Sequence, residues 1–472
     1  MKLLFIAALM VVWVSPLRST PCKTVLRVKH EAIEYACQTQ KRPLQRAFGI
    51  IPIPSVINGG NRGILGLGLG LVDNVVKLAG VQILEVRLPE LNVKMMPNVG
   101  IQVSIDTSFQ ISGSIALVGK IDVKAKAGVL ADLRFTRTDR GFPILSVSAC
   151  KSILGDTRIT GPFGILPALT NIIKGHFEVV LSDMLCVSVS NVFLGFNTNL
   201  GMLVGGSIIG GNLGLQYTMP SAPVVTEDYM DVIMDVEYEV DKKVVEIPNG
   251  VKDFTLPPGA GNKDAMINLG LSQDFFNSMF TAFQSSGGLN LEISSTSASV
   301  RNYLTTSVLG SHIPEISWKY KESLPVNMKI LLTQTPLVTL DANVVLVQIS
   351  PVVEMFVVTG TMRNQHLMTL NVGANLMAKL DVSRGKITTS VGLQGDLKIT
   401  MASSSFGKCK TSPSVLMGYM RDIFNKAYLV QLNADLSVGV SLPSLPNVDL
   451  IHEVIEVKKE YAVVSFDPQY VK

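Results

Sequence analysis

The sequence predicts an α+β fold of two similar elongated domains, in which long antiparallel sheets wrap around helices. Three observations carry that expectation: two-residue hydrophobic alternation over unusually long runs, helix-like segments that follow those runs, and recurrence of the same order in both halves. In 99–111, Val99, Ile101, Val103, Ile105, Phe109 and Ile111 alternate with Gln102, Ser104, Asp106, Ser108 and Gln110. In 121–135, Ile121, Val123, Ala125, Ala127, Val129, Ala131, Leu133 and Phe135 hold one face. Successive strand residues point to opposite faces, so each run has one dry and one wet side. Strands of this length reach roughly 45 Å, several times the usual span, and a sheet of them can curl around a long helix.

The second half repeats the device. Met368, Leu370, Val372, Ala374, Leu376, Ala378, Leu380 and Val382 form one face, and after the turn "SRGK" Ile387, Val391, Leu393, Leu397, Ile399 and Met401 form the next. Helix-like segments follow each hairpin, at 165–186 and 412–430, and each half closes on further strands. The repeat is too long for a solenoid and reads as two domains, 21–218 and 262–472. Between them 219–261 carries "MPSAP", "IPNG" and "LPPGAG", the composition of a connecting region with edge strands.

Two further segments have helical periodicity. Segment 26–48 spaces Ile33, Cys37, Leu44 and Phe48 along one side. The stretch "LSQDFFNSMFTAFQSSGG" sets Phe275, Phe276, Met279, Phe280 and Phe283 within an arc of about 140°, with Ser272 to cap its start and Gly287 to end it.

The N-terminus "MKLLFIAALMVVWV" followed by "SPLRST" reads as a secretory signal over residues 1–20, cut near Ser19 or Thr20. The chain is 47% hydrophobic and 17% charged with mean hydropathy +0.36, yet no other uninterrupted apolar stretch approaches bilayer length. The mature chain is therefore expected to be soluble, extracellular and oily inside. Secretion permits disulfides among Cys22, Cys37, Cys150, Cys186 and Cys409, an odd number that leaves at least one thiol unpaired within the chain. Residues 21–220 carry 19 Lys/Arg against 12 Asp/Glu, while 221–472 carry 20 against 25, so a basic first half faces an acidic second. Such a half suits anionic lipid surfaces, or is only a solvated face.

Reactive signatures are missing. There is no G-x-S-x-G elbow, no phosphate-binding glycine loop, no H-E-x-x-H, no C-x-x-C and no N-x-S/T sequon, and the glycines of "GILGLGLGLV" read as a flexible connector. No enzyme activity, cofactor, metal or nucleic-acid partner is expected.

Landmarks spread along the chain resemble the BPI-fold family of bactericidal/permeability-increasing and lipopolysaccharide-binding proteins and their PLUNC relatives, in particular the long two-domain family B. They are "VLRVKHEAIEYACQ", "LPELNVKMMPNVGIQVSI", "YTMPSAPVVTEDYMDV", "INLGLSQDFFNSMFTAFQSSGGL" and the closing "GVSLPSLPNVDLIHEVIEVKKEYAVVSFD". The resemblance implies a boomerang of two barrel domains joined by a central sheet, with two apolar pockets for acyl chains of phospholipid. It implies a disulfide between Cys150 and Cys186, and leaves Cys22, Cys37 and Cys409 unassigned. It places Ile33, Cys37, Leu44 and Phe48 at the first pocket, and Phe275, Phe276, Met279, Phe280 and Phe283 at the second. Against each of these stands the plain alternative that an apolar stripe facing a sheet is core. The sequence departs from the lipopolysaccharide-binding pattern at "ISGSIALVGKIDVK", where Lys120, Lys124 and Lys126 are spread along a strand instead of clustered, with Arg134, Arg137 and Arg140 as a weaker group at the same end. The function expected is a secreted, non-enzymatic binder of phospholipid or another hydrophobic ligand. The alternatives are a carrier of small hydrophobic molecules such as odorants in mucus, and innate-immune contact with lipopolysaccharide or a membrane surface.

Overall fold

The long alternating runs become long strands. A computed structural model describes residues 21–58, 75–115, 119–161, 167–210, 212–246, 251–297, 299–360, 363–407, 412–443 and 446–471. The signal segment, the whole of the Gly/Leu connector and Cys409 lie outside the described residues. In the first half Val75–Met96, Gly100–Ile115, Gly119–Arg137 and Pro143–Thr160 form an antiparallel meander, with the short strand Val56–Asn58 on its edge. Ile101, Val103, Ile105, Phe109 and Ile111 are at most 2% exposed, while their polar neighbours are not buried. Pro89 has no N–H to give a ladder, and the pairing with the next strand slips between Arg87 and Glu90.

The helix Pro167–Gly195 lies along this sheet. Leu169, Ile173, Phe177, Leu181, Leu185, Val189 and Phe193 are its buried residues, four apart throughout. A four-residue step advances by about 40° around a helix, so the contact line winds as the twisted sheet does. By length and composition alone Leu169–Leu200 could cross a membrane, but this stripe sits against strands. Cys150 and Cys186 bond the last strand of the meander to the helix, with Cα atoms 5.7 Å apart.

The second half is built likewise. Arg363–Ser383 and Lys386–Ser404 form the long hairpin of an eight-stranded antiparallel sheet, and Met417–Ile423, a π-helical turn Phe424–Tyr428 and Leu429–Leu436 make the helix against it.

The helices that open each half cover sheet edges, and their polar residues complete the ladders. In the first, Gln38 Nε2 donates to Leu91 O at 2.8 Å, and His30 Nε2 lies 3.1 Å from Val93 O. In the second, Asn277 Oδ1 accepts from Val338 N at 2.8 Å and Gln273 Oε1 from Leu340 N at 2.9 Å. Gln273–Ser285 is capped by Ser272 Oγ, which accepts from Phe275 N, and ends where Gly287 takes φ +78° and Gly288 N returns to Phe283 O. That left-handed position favours glycine.

The closing strands of both halves meet in one central sheet. Its order is Val448–Lys458, Tyr461–Tyr470, Ile267–Ser272, Cys22–Lys29, Tyr229–Val240, Leu213–Thr218, Gly206–Gly210. The chain's two halves are thus joined through the pairing of Cys22–Lys29 with Ile267–Ser272. Two local expectations change. Residues 26–29 are strand, because Leu26 and Val28 alternate with Arg27 and Lys29. The helical segment starts at His30 and breaks at Gln40, where Pro43 denies the carbonyl four residues back its donor. Tyr229–Val240 is an interior strand and not an edge, flanked by Cys22–Lys29 on one side and Leu213–Thr218 on the other.

One face of the central sheet is crossed by the segment 251–261, whose Leu256 packs on Val25 and Val463. Gly261, at φ +84°, sits where a Cβ would come within 2.5 Å of Asn268 Oδ1, so glycine is required for the strap to lie this close.

Candidate functional site

Antiparallel register places Met230, Val28, Ile267 and Phe466 side by side across four strands of the central sheet, with Val232 and Leu26 in the next row. These side chains share the face opposite the strap. The helix His30–Thr39 follows directly and presents Ala32, Ile33, Ala36 and Cys37 above that floor. Phe193, Phe196, Leu200 and Leu203, at the end of the long helix and beyond it, form a second wall, and Ile101, Leu133, Phe135 and Leu145 close the side toward the first sheet. Pro443, Val448, Leu450, Pro468 and Tyr470 come from the far end of the chain.

Together they enclose a cavity of about 170 Å³, or about 1310 Å³ when the crevices between lining atoms and the open mouth are included. Among the described residues no charged side chain lines it, and its polar side chains are those of Gln40, Cys37 and Tyr470. Burial, with a smaller contribution from Glu34, pushes the Cys37 thiol up to about 12, so it is a neutral wall atom and not a nucleophile. An empty apolar space of this kind leaves its lining atoms without dispersion partners. An aliphatic chain entering it gains about 0.8 kcal/mol per methylene withdrawn from water.

Of the residues singled out in the sequence, Ile33 and Cys37 line the cavity. Leu44 and Phe48 are fully buried in the next helix, Lys41–Gly49, where the Phe48 ring lies 6.2 Å from that of Phe109 in the first sheet. Phe275, Phe276, Met279, Phe280 and Phe283 lie in the second half, 1–9% exposed, with Phe275 edge-on to Phe276 at 5.2 Å and 6.0 Å from Tyr238. None of these seven lines the cavity. Phe193, Phe196, Leu200, Met230, Phe466 and Tyr470 do, and were not singled out. Phe193, Phe196 and Leu200 continue the helical spacing beyond residue 186, a signal present in the sequence; the strand residues become neighbours only through long-range pairing.

The basic residues of the first sheet are separated further than expected. Lys120 lies at the start of Gly119–Arg137 and Arg137 at its end, so Arg134, Arg137 and Arg140 stand at the opposite end of the strand, roughly 55 Å from Lys120. Lys124 and Lys126 share the outer face with Arg87 and Arg158, interleaved with Glu85 and Asp156. Arg87 donates to both Glu85 oxygens at 2.6 and 3.1 Å, which holds that carboxyl below its usual range.

Comparison with known proteins gives the same architecture. The family model described as LBP / BPI / CETP, N-terminal domain, matches residues 32–196, and the C-terminal domain model matches 207–470. The chain is 31% identical to BPI fold-containing family B member 2 of Homo sapiens over 449 residues, 95% of this chain and 94% of that one. It is 22% identical to the bactericidal permeability-increasing protein of Sebastes schlegelii, over 94% of each chain. The crystal structure of lipopolysaccharide binding protein superposes with a TM-score of 0.63 at 18% identity, covering 96% of this chain and all of that one, a likeness of fold.

Proposed function

We infer the function of this chain from the family to which it belongs, LBP / BPI / CETP, and from the cavity between its two halves: it is a secreted, non-enzymatic protein that holds the acyl chain of a lipid. The observation that carries this reading is an uncharged, aliphatic and aromatic lining assembled from both ends of the chain, with Ile33 and Cys37 on its wall. Expulsion of water from chain and lining drives binding, and the head of the ligand stays at the mouth. The carboxylates of Glu85 and Asp156 among Lys124, Lys126, Arg87 and Arg158, and the distance of Arg134, Arg137 and Arg140 from Lys120, argue against a concentrated clamp for the phosphates of lipopolysaccharide.

The test is mass spectrometry of an organic extract of the full chain purified without detergent, together with uptake of a fluorescent acyl probe. Acyl lipid in the extract, and probe binding weakened about tenfold in Ile33→Asn, supports the reading. Volatile apolar compounds in place of acyl lipid would favour a small-molecule carrier, and an empty cavity that takes up no probe rejects both.

A further inference from the structure

The cavity opens beside a second, polar cleft of about 300 Å³ that shares Gln40, Phe196 and Tyr470 with it. The remaining polar groups of this cleft are Thr39, Asn199 and Asn447. Among the described residues neither lining contains a charged side chain. Lys41 and Arg42 follow Gln40 directly in the chain and still line neither space.

We propose that this vestibule selects lipids with an uncharged, hydrogen-bonding head, such as a hydroxyl, ester or amide, over lipids whose head is an anion. The inference rests on the acyl-chain reading of the cavity and deepens it by naming the ligand class.

The groups at the mouth suit a neutral head. Gln40 Nε2 donates to Thr39 Oγ1 at 3.0 Å, and Thr39 Oγ1 donates onward to Ala36 O at 2.6 Å. Among the described residues no hydrogen bond to the Gln40 side-chain carbonyl oxygen is made, which leaves an acceptor on a residue that lines both spaces. The amides of Asn199 and Asn447 each offer one donor type and one acceptor type. Burial raises Tyr470, so its hydroxyl keeps its proton, and it is hydrogen-bonded to Thr39 within the same polar group. Its ring is packed 5.7 Å from that of Tyr35, which fixes the position of that hydroxyl at the rim. An alcohol, ester or amide exchanges its water contacts for these groups at little cost. A carboxylate or phosphate drawn to the same depth loses hydration without meeting a cation.

The test uses displacement of a fluorescent acyl probe from the full chain, at mildly alkaline pH, by four lipids with one identical chain: a fatty alcohol, a monoacylglycerol, a fatty acid and a lysophosphatidic acid. The alcohol and the monoacylglycerol are expected to displace the probe at concentrations at least roughly tenfold lower than the two anions. A cation placed at the half-exposed mouth, by Gln40→Lys or independently by Asn199→Lys, is expected to shift the preference of anion over alcohol by about tenfold toward the anions. Anions that compete as well as neutral lipids in the unsubstituted protein overturn this proposal while probe uptake keeps the acyl-chain reading intact. A protein that takes up no probe at all overturns the acyl-chain reading, and this proposal with it.

Discussion

The side-chain amide of Asn197 replaces a missing strand for Leu145: its Oδ1 accepts from Leu145 N at 2.6 Å and its Nδ2 donates to Leu145 O at 2.9 Å. The second half contains the same device, where Asn433 makes the equivalent pair of bonds to Val391 at 2.6 and 3.0 Å. Each amide ties a helical residue to both backbone groups of one residue in the neighbouring sheet. Leu145 also lines the cavity, so the first pin fixes a wall of the binding site.

Asn197→Ala leaves both backbone groups of Leu145 without that partner, at a cost of about 2 kcal/mol in urea unfolding. It should also speed release of a bound acyl probe. Asn433→Ala should cost a similar amount and leave release unchanged, because Val391 is not part of the cavity lining. Equal effects on release from both substitutions would mean that the helix ends act only through global stability.

A second pin holds the strap across the other face. Arg27, 4% exposed, binds both Asp231 oxygens at 2.8 Å, donates to Leu256 O and Pro257 O at 2.9 Å, and lies 3.9 Å from the Tyr229 ring centre. Removing it strands a largely buried carboxylate, and Arg27→Ala is expected to cost about 3 kcal/mol. Arg27→Lys should recover little, since one ammonium cannot span Asp231 and two carbonyls together. Limited proteolysis should then cut within 251–261, where the unsubstituted protein resists.

Core and cavity residues are separable by graded substitution. Phe280 is 2% exposed in the hydrophobic core, so Phe280→Ala should destabilise by about 3–5 kcal/mol and Phe280→Leu by about 1 kcal/mol. Acyl-probe affinity in Phe280→Leu should match that of the unsubstituted protein. Ile33→Asn, at the cavity wall, should instead weaken the probe about tenfold at a smaller cost in stability. A large affinity loss in Phe280→Leu would establish a second binding pocket at this helix.

These contrasts follow the line between what alternation encodes and what it does not. The strands containing Ile101 to Ile111 and Met368 to Val382 were legible because two-residue periodicity is a local property of a half-buried strand. The aromatic side of Gln273–Ser285 was legible as apolar, but whether sheet or ligand faces it is set by strands far away in sequence. Likewise the floor of the cavity joins Met230, Val28, Ile267 and Phe466, four residues drawn together by register alone. Arg27 read as a polar position in a helical segment, because the Pro/Gly-rich strap that buries it carries no periodic signal. Arg134, Arg137 and Arg140 stand at the end of their strand opposite Lys120, which counting along the chain does not reveal because it does not show where a strand turns back.

The Cys37 thiol supplies a readout of the cavity from within. Its ordinary value of 9.0 is pushed up to about 12 by burial, so the native state holds the proton over a range in which the unfolded chain releases it. Below about pH 9 both states are protonated and the group does not affect stability with pH. As pH rises from about 9 toward about 12 the unfolded state alone gains the free energy of ionisation, and native stability falls. Cys22, likewise raised to about 12 by burial, contributes in the same direction. The urea midpoint should therefore drop more steeply between about pH 8 and pH 10.5 in the unsubstituted protein than in Cys37→Ala. Iodoacetamide at about pH 8 should label Cys37 only after unfolding, since the thiolate is the reactive form. If Cys37 reacts readily in the native protein, with or without an acyl ligand, its wall of the cavity is open to water and the dry lining on which lipid binding depends does not exist.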